Sequence, residues 1–387
     1  MSAPTLIERL RLQLAELERD ALLRNRRTLA SPCGPEVVVD GRPLLAFASN
    51  DYLGLANHPA LAAAAQAGAA RWGTGAGAAH LVSGHQTPHH VLEEALACFV
   101  QRPRALYFST GYMANTGVIP ALVGRGDAVF ADRLNHASLI DGMLISRADF
   151  VRYPHNDMGA LEAALAKSTA RTKLIAVDAV FSMDGDLAPL PRLLELAERH
   201  DAWLYADDAH GFGVLGPQGR GTAAHFGLHA QRLILMGTLG KAAGVSGAFV
   251  AGANEVVEWL LQRARTYVFT TASPPLVANA LLAALPLIEQ GDDRRAHLRQ
   301  LIAQLRAHLP AGPWRLLPSE TAIQPLVIGG NAETLRIAQG LLERGIWVPA
   351  IRPPTVPKGE ARLRITLSAA HTAEQVARLC AALGELA

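Results

Sequence analysis

A chain of 387 residues, half of them hydrophobic and 18% charged, is long enough for two or three domains around a large buried core. Its 36 basic and 34 acidic residues leave a formal charge of +2, which supplies neither a nucleic-acid groove nor a membrane-binding face. Three distant cysteines, Cys33, Cys98 and Cys380, make no disulfide framework and no Cys-x-x-Cys site, and read as reduced thiols of a cytoplasmic protein.

The first segment, Met1 to Asp20, carries Leu6, Leu10, Leu14 and Leu17 at helical spacing and lacks the apolar core of a signal peptide. The break Ser31-Pro32-Cys33-Gly34-Pro35 follows it. A long middle section then alternates apolar runs with helical segments. The runs are 105–108, 128–131, 174–177, 203–206, 233–236 and 248–251, and the segments include 159–166 and 190–198. Asp157 is placed to cap the first of these helices. Apolar strands alternating with helices predict an α/β fold: a mainly parallel sheet covered by helices on both faces. From about Leu281 the pattern changes to a long helix, a strand over 323–328, another helix and a strand over 363–367. The expected organisation is an N-terminal helical arm (1–45), a large domain (46–280) and a smaller α+β C-terminal domain (281–387). No apolar run approaches the ~18 residues of a membrane span.

Two strand ends carry the chemistry. Tyr205-Ala206-Asp207-Asp208-Ala209-His210-Gly211 takes an apolar strand into two carboxylates and a histidine. Leu233 to Met236 leads into Gly237-Thr238-Leu239-Gly240-Lys241, and the chain holds only three other lysines, Lys167, Lys173 and Lys358. A pair of carboxylates at a strand end is most often a turn and a cap, and a lysine in a glycine turn is most often a surface group. Together they suit pyridoxal phosphate (PLP), an electron sink that works best with its ring nitrogen protonated. A carboxylate ~4 Å from that nitrogen, at an effective dielectric near 20, contributes roughly 4 kcal/mol. That is on the order of three pKa units, enough to hold the proton at neutral pH. The lysine needs a water-poor setting to act as nucleophile and base. Ser109-Thr110-Gly111-Tyr112 follows another apolar run and opens a helix, whose free N–H groups suit a phosphate.

These residues resemble a known family. Ser49-Asn50-Asp51-Tyr52-Leu53-Gly54, Ser109 to Tyr112, Asp132-Arg133-Leu134-Asn135-His136-Ala137-Ser138, Phe181-Ser182-Met183-Asp184-Gly185-Asp186, Asp207 to Gly211, Thr238 to Lys241 and Leu363-Arg364-Ile365-Thr366 occur in the order seen in the α-oxoamine synthases. These are fold-type-I PLP enzymes, and the likeness runs over almost the whole chain. The run Ala350-Ile351-Arg352-Pro353-Pro354-Thr355-Val356-Pro357 points to the branch that serves biotin synthesis. The resemblance implies an acyltransferase that joins L-alanine to a pimeloyl thioester with loss of CO2, the thiol being coenzyme A or an acyl carrier protein. It implies that Lys241 carries PLP and removes the α-proton, that Asp207 pairs with the ring nitrogen, and that His210 and Ser182 bond its phenolic oxygen. His136 would stack on the ring. Gly111, Tyr112 and Thr238 would hold the phosphate, with Thr270 or Thr271 reaching it from the second subunit of a homodimer. Arg352 would bind the amino-acid carboxylate, with Asn50, Arg24 and Thr355 at the substrate. Asp178 stands where relatives more often carry Glu, and the shorter arm is expected to loosen a contact behind the ring.

Rival readings are weaker. Gly73-Thr74-Gly75-Ala76-Gly77-Ala78 fits the dinucleotide fingerprint, but residues 60–72 before it are Ala-rich and helical rather than a strand. Leu235 and Ala242 break any P-loop around Lys241. His85, His89 and His90 suggest a metal cluster, yet Pro88 interrupts them and this chemistry needs no metal, so none is expected. A non-catalytic partner role fits poorly with an intact Lys241 constellation. An aminotransferase would share Lys241 and Asp207 but would not need the Arg352 run.

Overall fold

The computed structural model describes residues 5–309 and 312–387, so the Met1–Pro4 start of the expected N-terminal helix lies outside the described residues. Helix α1 (Leu6–Arg19) begins at Thr5, whose hydroxyl accepts the Glu8 N–H at 3.3 Å while the Glu8 carboxylate accepts the Thr5 N–H at 2.7 Å. Reciprocal capping of this kind satisfies donors that a helix start otherwise leaves open. Strands β1 (Glu36–Val39) and β2 (Arg42–Ala46) form a hairpin that the sequence reading passes over. Its turn is Asp40-Gly41, with φ of +49° and +78°, the backbone that twists two strands together.

The middle of the chain runs α2 (Pro59–Trp72), α3 (Thr87–Phe99), β3 (Arg104–Phe108), α4 (Gly111–Leu122), β4 (Ala128–Asp132), α5 (Ala137–Ser146), β5 (Asp149–Tyr153), α6 (Met158–Lys167) and β6 (Lys173–Asp178). It continues with α7 (Leu190–Arg199), β7 (Ala202–Asp207), α8 (Thr222–His225), β8 (Leu233–Thr238), β9 (Ala248–Gly252), α9 (Asn254–Arg263), α10 (Arg265–Val268) and α11 (Pro275–Glu289). After α12 (Asp292–His308) come β10 (Arg315–Leu316), β11 (Ile323–Gly329), α13 (Asn331–Glu343), β12 (Ile346–Trp347), β13 (Ala350–Ile351), β14 (Ala361–Thr366) and α14 (Ala373–Gly384). The long helix expected from Leu281 is thus two helices, α11 and α12, parted at Gln290-Gly291. Asp157 caps α6 as expected, its carboxylate accepting the Ala160 N–H at 2.9 Å.

The chain divides into two compact units. The larger comprises Asp51–Ser182 and Asp186–Ala296. It is built on a seven-stranded sheet of order β3-β9-β8-β7-β6-β4-β5, parallel except for β9, which runs antiparallel to both neighbours. Alternation within the strands explains their unbroken apolar character. Val129, Ala131, Leu174, Ala176 and Ile234 pack on one face with Val118, Leu139 and Met143 of α4 and α5. Ala128, Phe130, Ile175, Val177 and Leu233 pack on the other with Leu161, Leu165, Leu193 and Leu196 of α6 and α7. Both faces are dry, as a parallel sheet requires.

The smaller unit comprises Met1–Asn50, Met183–Gly185 and His297–Ala387. The sequence reading keeps the arm (1–45) apart from the C-terminal stretch (281–387); the structure ties them within one unit. Strand β12 adds to β2 in parallel, and Leu45 N–H donates to the Gly345 carbonyl at 2.8 Å. A four-stranded antiparallel sheet, β10-β11-β14-β13, completes this unit's strands. No helix among the described residues is long and apolar enough to cross a membrane.

Candidate active site

In the larger unit the functional groups gather at the carboxyl ends of the strands, where parallel sheets commonly bind ligands. Strand register places Asp178 at the end of β6 opposite Asp207 at the end of β7, with Met236 of β8 next along. Thr238 closes β8 and leads into the turn that carries Lys241. That turn is held by Gly244 N–H to the Lys241 carbonyl (2.9 Å) and Leu239 N–H to the Gly247 carbonyl (2.8 Å). Gly244 has φ of +71°, and a Cβ there would lie 2.6 Å from the Leu55 carbonyl carbon, so only glycine serves. Lys241 Nζ is 2.9 Å from His210 Nε2, and His210 Nδ1 is 2.5 Å from the Tyr52 hydroxyl.

Asp207 is buried, and each of its carboxylate oxygens accepts a hydrogen bond. Oδ1 accepts the Ala209 N–H at 3.0 Å, and Oδ2 accepts from Asn115 Nδ2 at 2.7 Å. Asn115, wholly buried in α4, accepts a hydrogen bond from the Tyr205 hydroxyl on Oδ1 (2.7 Å) and donates from Nδ2 to Ser138 Oγ (2.8 Å). Ser138 Oγ in turn lies 2.8 Å from His136 Nδ1, which also accepts the Ser138 N–H at 3.2 Å. With Nδ1 an acceptor, a neutral His136 carries its proton on Nε2. Burial favours that neutral form and lowers its pKa, with the Asp207 charge opposing.

Asp178 Oδ2 accepts the His136 backbone N–H at 2.6 Å, so the shorter side chain still makes a close contact behind the imidazole. Burial, then the neighbouring Asp207, pushes the Asp178 carboxyl well above the usual range. Asp208 has a different task. It accepts the Thr222 N–H (2.7 Å) and hydroxyl (2.5 Å), tying the loop after β7, and burial raises its pKa to about 7.

Gly111 opens α4, with Thr110 Oγ1 capping the Met113 N–H at 3.1 Å. A Cβ on Gly111 would lie 2.8 Å from Thr238 Oγ1, so its absence brings the start of α4 against the Thr238 hydroxyl. Tyr112 is half exposed and its hydroxyl donates to Asp141. Ser182 sits half-buried in the turn after Phe181. Thr270 and Thr271 follow α10, and the exposed Thr271 bridges to Ala79.

The smaller unit holds the remaining expected residues. Arg24, Arg352 and Thr355 line one cavity of about 290 Å³. Arg352 donates to the Ala21 carbonyl and, at 3.4 Å, to that of Leu23, while its Nε is buried with no partner among the described residues. Burial, then the Arg24 charge, lowers its pKa. Asn50 Oδ1 accepts from Arg364 Nη1 at 3.1 Å, and the buried Arg364 also bonds Thr366 Oγ1 at 2.9 Å.

Helix α2 runs into Gly73, so the glycine run lacks the strand a dinucleotide site needs. The histidines that come together are His80, His85 and His89 rather than His85, His89 and His90, with ligand atoms within 4.8 Å of one another. His89 Nδ1 accepts the Gln86 N–H (3.1 Å), so its Nε2 donates to the Ser273 carbonyl (2.9 Å), and both nitrogens are used. His80 Nδ1 and His85 Nδ1, 2.9 Å apart, share a hydrogen bond. The cluster is a hydrogen-bonded one.

Sequence reasoning missed Tyr52, Asn115 and Ser138 as members of the constellation. Asn115 had a readable signal, a lone amide on the apolar side of a helix beginning at Gly111, but its partners on β7 and α5 were not legible.

The aminotransferase class I and II family model matches residues 42–383. An 8-amino-7-oxononanoate synthase of Aromatoleum aromaticum is 66% identical over 381 residues, covering 98% of this chain and 99% of the relative. One from Herminiimonas arsenicoxydans is 65% identical over 97% of this chain and 98% of its own. Among solved structures, a serine palmitoyltransferase from S. paucimobilis with a bound PLP–myriocin aldimine superposes with a TM-score of 0.93 at 28% identity, over 99% of this chain and 98% of that one. The 8-amino-7-oxononanoate synthase of Francisella tularensis gives a TM-score of 0.77 at 31% identity, over 88% and 97%. An intact lysine–histidine–aspartate constellation at the strand ends and near-complete coverage by these relatives agree, and the chain belongs to aminotransferase class I and II, in the branch of the 8-amino-7-oxononanoate synthases.

Proposed function

We propose that the chain is the PLP-dependent acyltransferase that condenses L-alanine with a pimeloyl thioester to give 8-amino-7-oxononanoate, CO2 and free thiol in biotin biosynthesis. The observation that carries the reading is Lys241 Nζ 2.9 Å from His210 Nε2, in a unit where Asp207 is buried and orientated by Asn115. The residues present fit the cofactor. The missing Cβ at Gly111 brings the N–H groups at the start of α4 and the Thr238 hydroxyl together as a phosphate cradle, with Tyr112 beside them. Asp207 offers an anion for a ring nitrogen, and His136 an imidazole face held by Ser138 and Asp178. Ser182 and His210 supply hydrogen bonds to the phenolic oxygen. When bound, PLP supplies the electron sink that makes the α-carbon of alanine acidic.

The side chains divide the rest of the work. Lys241 Nζ would hold the cofactor and, once released from it, would take the α-proton and later return a proton. Asp207 keeps the ring nitrogen protonated. Arg352, assisted by Arg24, Asn50 and Thr355, presents a two-pronged donor to the alanine carboxylate. The α-carbon bonds to the acyl carbon as the carbon–sulfur bond breaks and the thiol leaves. The carboxylate then departs as CO2, and one proton restores the α-carbon. Thr270 or Thr271, on a segment exposed beside Phe269, completes the phosphate site of a second subunit in a cytoplasmic homodimer. Coenzyme A and an acyl carrier protein both provide the required thioester. Incubating the purified protein with PLP, alanine and each pimeloyl thioester, and weighing product and CO2 by mass spectrometry, tests the reading. Alanine converted to pyruvate without carbon–carbon bond formation would overturn it.

A further inference from the structure

We propose that Tyr52 is a positioning residue whose hydroxyl fixes the ring of His210 and, through that ring, sets the proton balance at Lys241 Nζ. The inference rests on the reading that Lys241 carries PLP, and it assigns a role to a residue outside the constellation expected from sequence.

Three groups stand in line. Tyr52 Oη is 2.5 Å from His210 Nδ1, and His210 Nε2 is 2.9 Å from Lys241 Nζ. Tyr52 is 1% exposed and His210 9%, so bulk water does not readily replace either bond. The hydroxyl is held in place from behind. The Asp51 carboxylate accepts the Leu55 and Ala56 N–H groups at 2.8 and 3.1 Å, and Arg294 donates to the Leu53 carbonyl at 3.0 Å. Gly244, in the turn of Lys241 itself, meets the Leu55–Ala56 backbone so closely that no Cβ fits between them. The turn with the hydroxyl and the turn with the amine are therefore packed backbone against backbone.

A neutral imidazole donates from one nitrogen and accepts at the other. If Lys241 is an ammonium it donates to Nε2, and His210 must then carry its proton on Nδ1 and donate to Tyr52 Oη. Once Lys241 is joined to the cofactor, Nε2 must instead donate to the phenolic oxygen, which requires Nδ1 to accept from the Tyr52 hydroxyl. A hydroxyl serves both states by rotating, because it is donor and acceptor at once. Phenylalanine serves neither. Donation to Nδ1 strengthens the Nε2–H bond to the phenolic oxygen. That bond draws charge away from the nitrogen that joins Lys241 to the cofactor. Without it, that nitrogen should keep its proton to higher pH.

The test is a pH titration of the visible absorbance of the holoenzyme, wild type against Tyr52→Phe. Asp178 and His136 also face Lys241, with Asp207 beside both and Asp51 and Asp208 on the adjoining turns, and all are unchanged in the variant. We expect the midpoint to rise by about one pH unit, a tenfold change in proton affinity. Cofactor loading, followed by fluorescence, should fall much less. An unshifted or lowered midpoint in a loaded variant overturns the proposal. Should Tyr52→Phe fail to fold by thermal melt, 3-fluorotyrosine inserted at position 52 keeps the volume and the bond but acidifies the hydroxyl. A moved midpoint then supports the proposal, and an unmoved one overturns it. Borohydride labelling of the wild type on a lysine other than Lys241 would instead bring down the underlying reading.

Discussion

Replacing Asn115 by leucine removes three hydrogen bonds from the centre of the larger unit while keeping the branching of the side chain. The amide donates to Asp207 Oδ2 (2.7 Å) and Ser138 Oγ (2.8 Å), and it accepts from the Tyr205 hydroxyl (2.7 Å). The bond to the carboxylate is charge-assisted, at about 1.5–3 kcal/mol, and the two neutral bonds contribute about 0.5–1.5 kcal/mol each. The sum is about 2.5–6 kcal/mol, a large share of the roughly 5–15 kcal/mol that holds a typical domain. Tyr205 is wholly buried, so its hydroxyl finds no water in exchange. Urea unfolding of Asn115→Leu should therefore show that loss, with a weaker hold on PLP because Asp207 Oδ2 and Ser138, behind His136, lose a common anchor. Asn115→Asp separates the two effects. It can still bond Tyr205 but sets a second carboxylate against Asp207, so it should shed cofactor more readily than it loses stability. A leucine variant within ~1 kcal/mol of wild type and normal in cofactor retention would show that Asp207 needs no such support.

Borohydride reduction should fix the cofactor to Lys241, read by peptide mapping, and Lys241→Ala should bind PLP without a covalent bond and make no product. Arg352→Lys keeps charge but loses the fork, so the Michaelis constant for alanine should rise about tenfold to more than a hundredfold, from the roughly 1.5–3 kcal/mol of a charge-assisted pair, while that for the thioester moves little. An unchanged alanine dependence would return Arg352 to its bonds with Ala21 and Leu23. Mixed dimers of Lys241→Ala with a Thr270/Thr271 double mutant should regain activity that neither parent has, and a fully active monomer by light scattering refutes the shared site. Burial holds His80 neutral down to a pKa of about 3, against 6.5 when unfolded. Its folded value is depressed, so the unfolded chain binds the extra proton and stability is lost as pH falls below about 6.5. Between pH 7.5 and 5 that amounts to about 2 kcal/mol, and His80→Gln should flatten this part of the urea-stability profile.

What could be seen in the sequence follows from the range over which each signal acts. The six strands read in the middle section are apolar on both faces, so each announced itself within a few residues. Strand β5, Asp149-Phe150-Val151-Arg152-Tyr153, pairs only with β4 at the sheet edge and alternates too weakly to stand out. The β1–β2 hairpin was signalled by Asp40-Gly41 alone, and β12 is two residues that acquire meaning only by pairing with β2 from 300 residues away. The site shows the same division. Asp207, His210 and Lys241 lie on strand-end motifs whose order survives in the sequence, and Gly111 opens a helix that ordinary capping rules predict. Asn115, Ser138 and Tyr52 act on those groups through contacts 92, 23 and 158 residues apart in sequence, counted from Asp207, Asn115 and His210 respectively. No local pattern encodes such separations. The groups expected to touch cofactor were thus open to reading from their own neighbourhoods, whereas those that hold them in register became visible only once the sheet had brought its strand ends together.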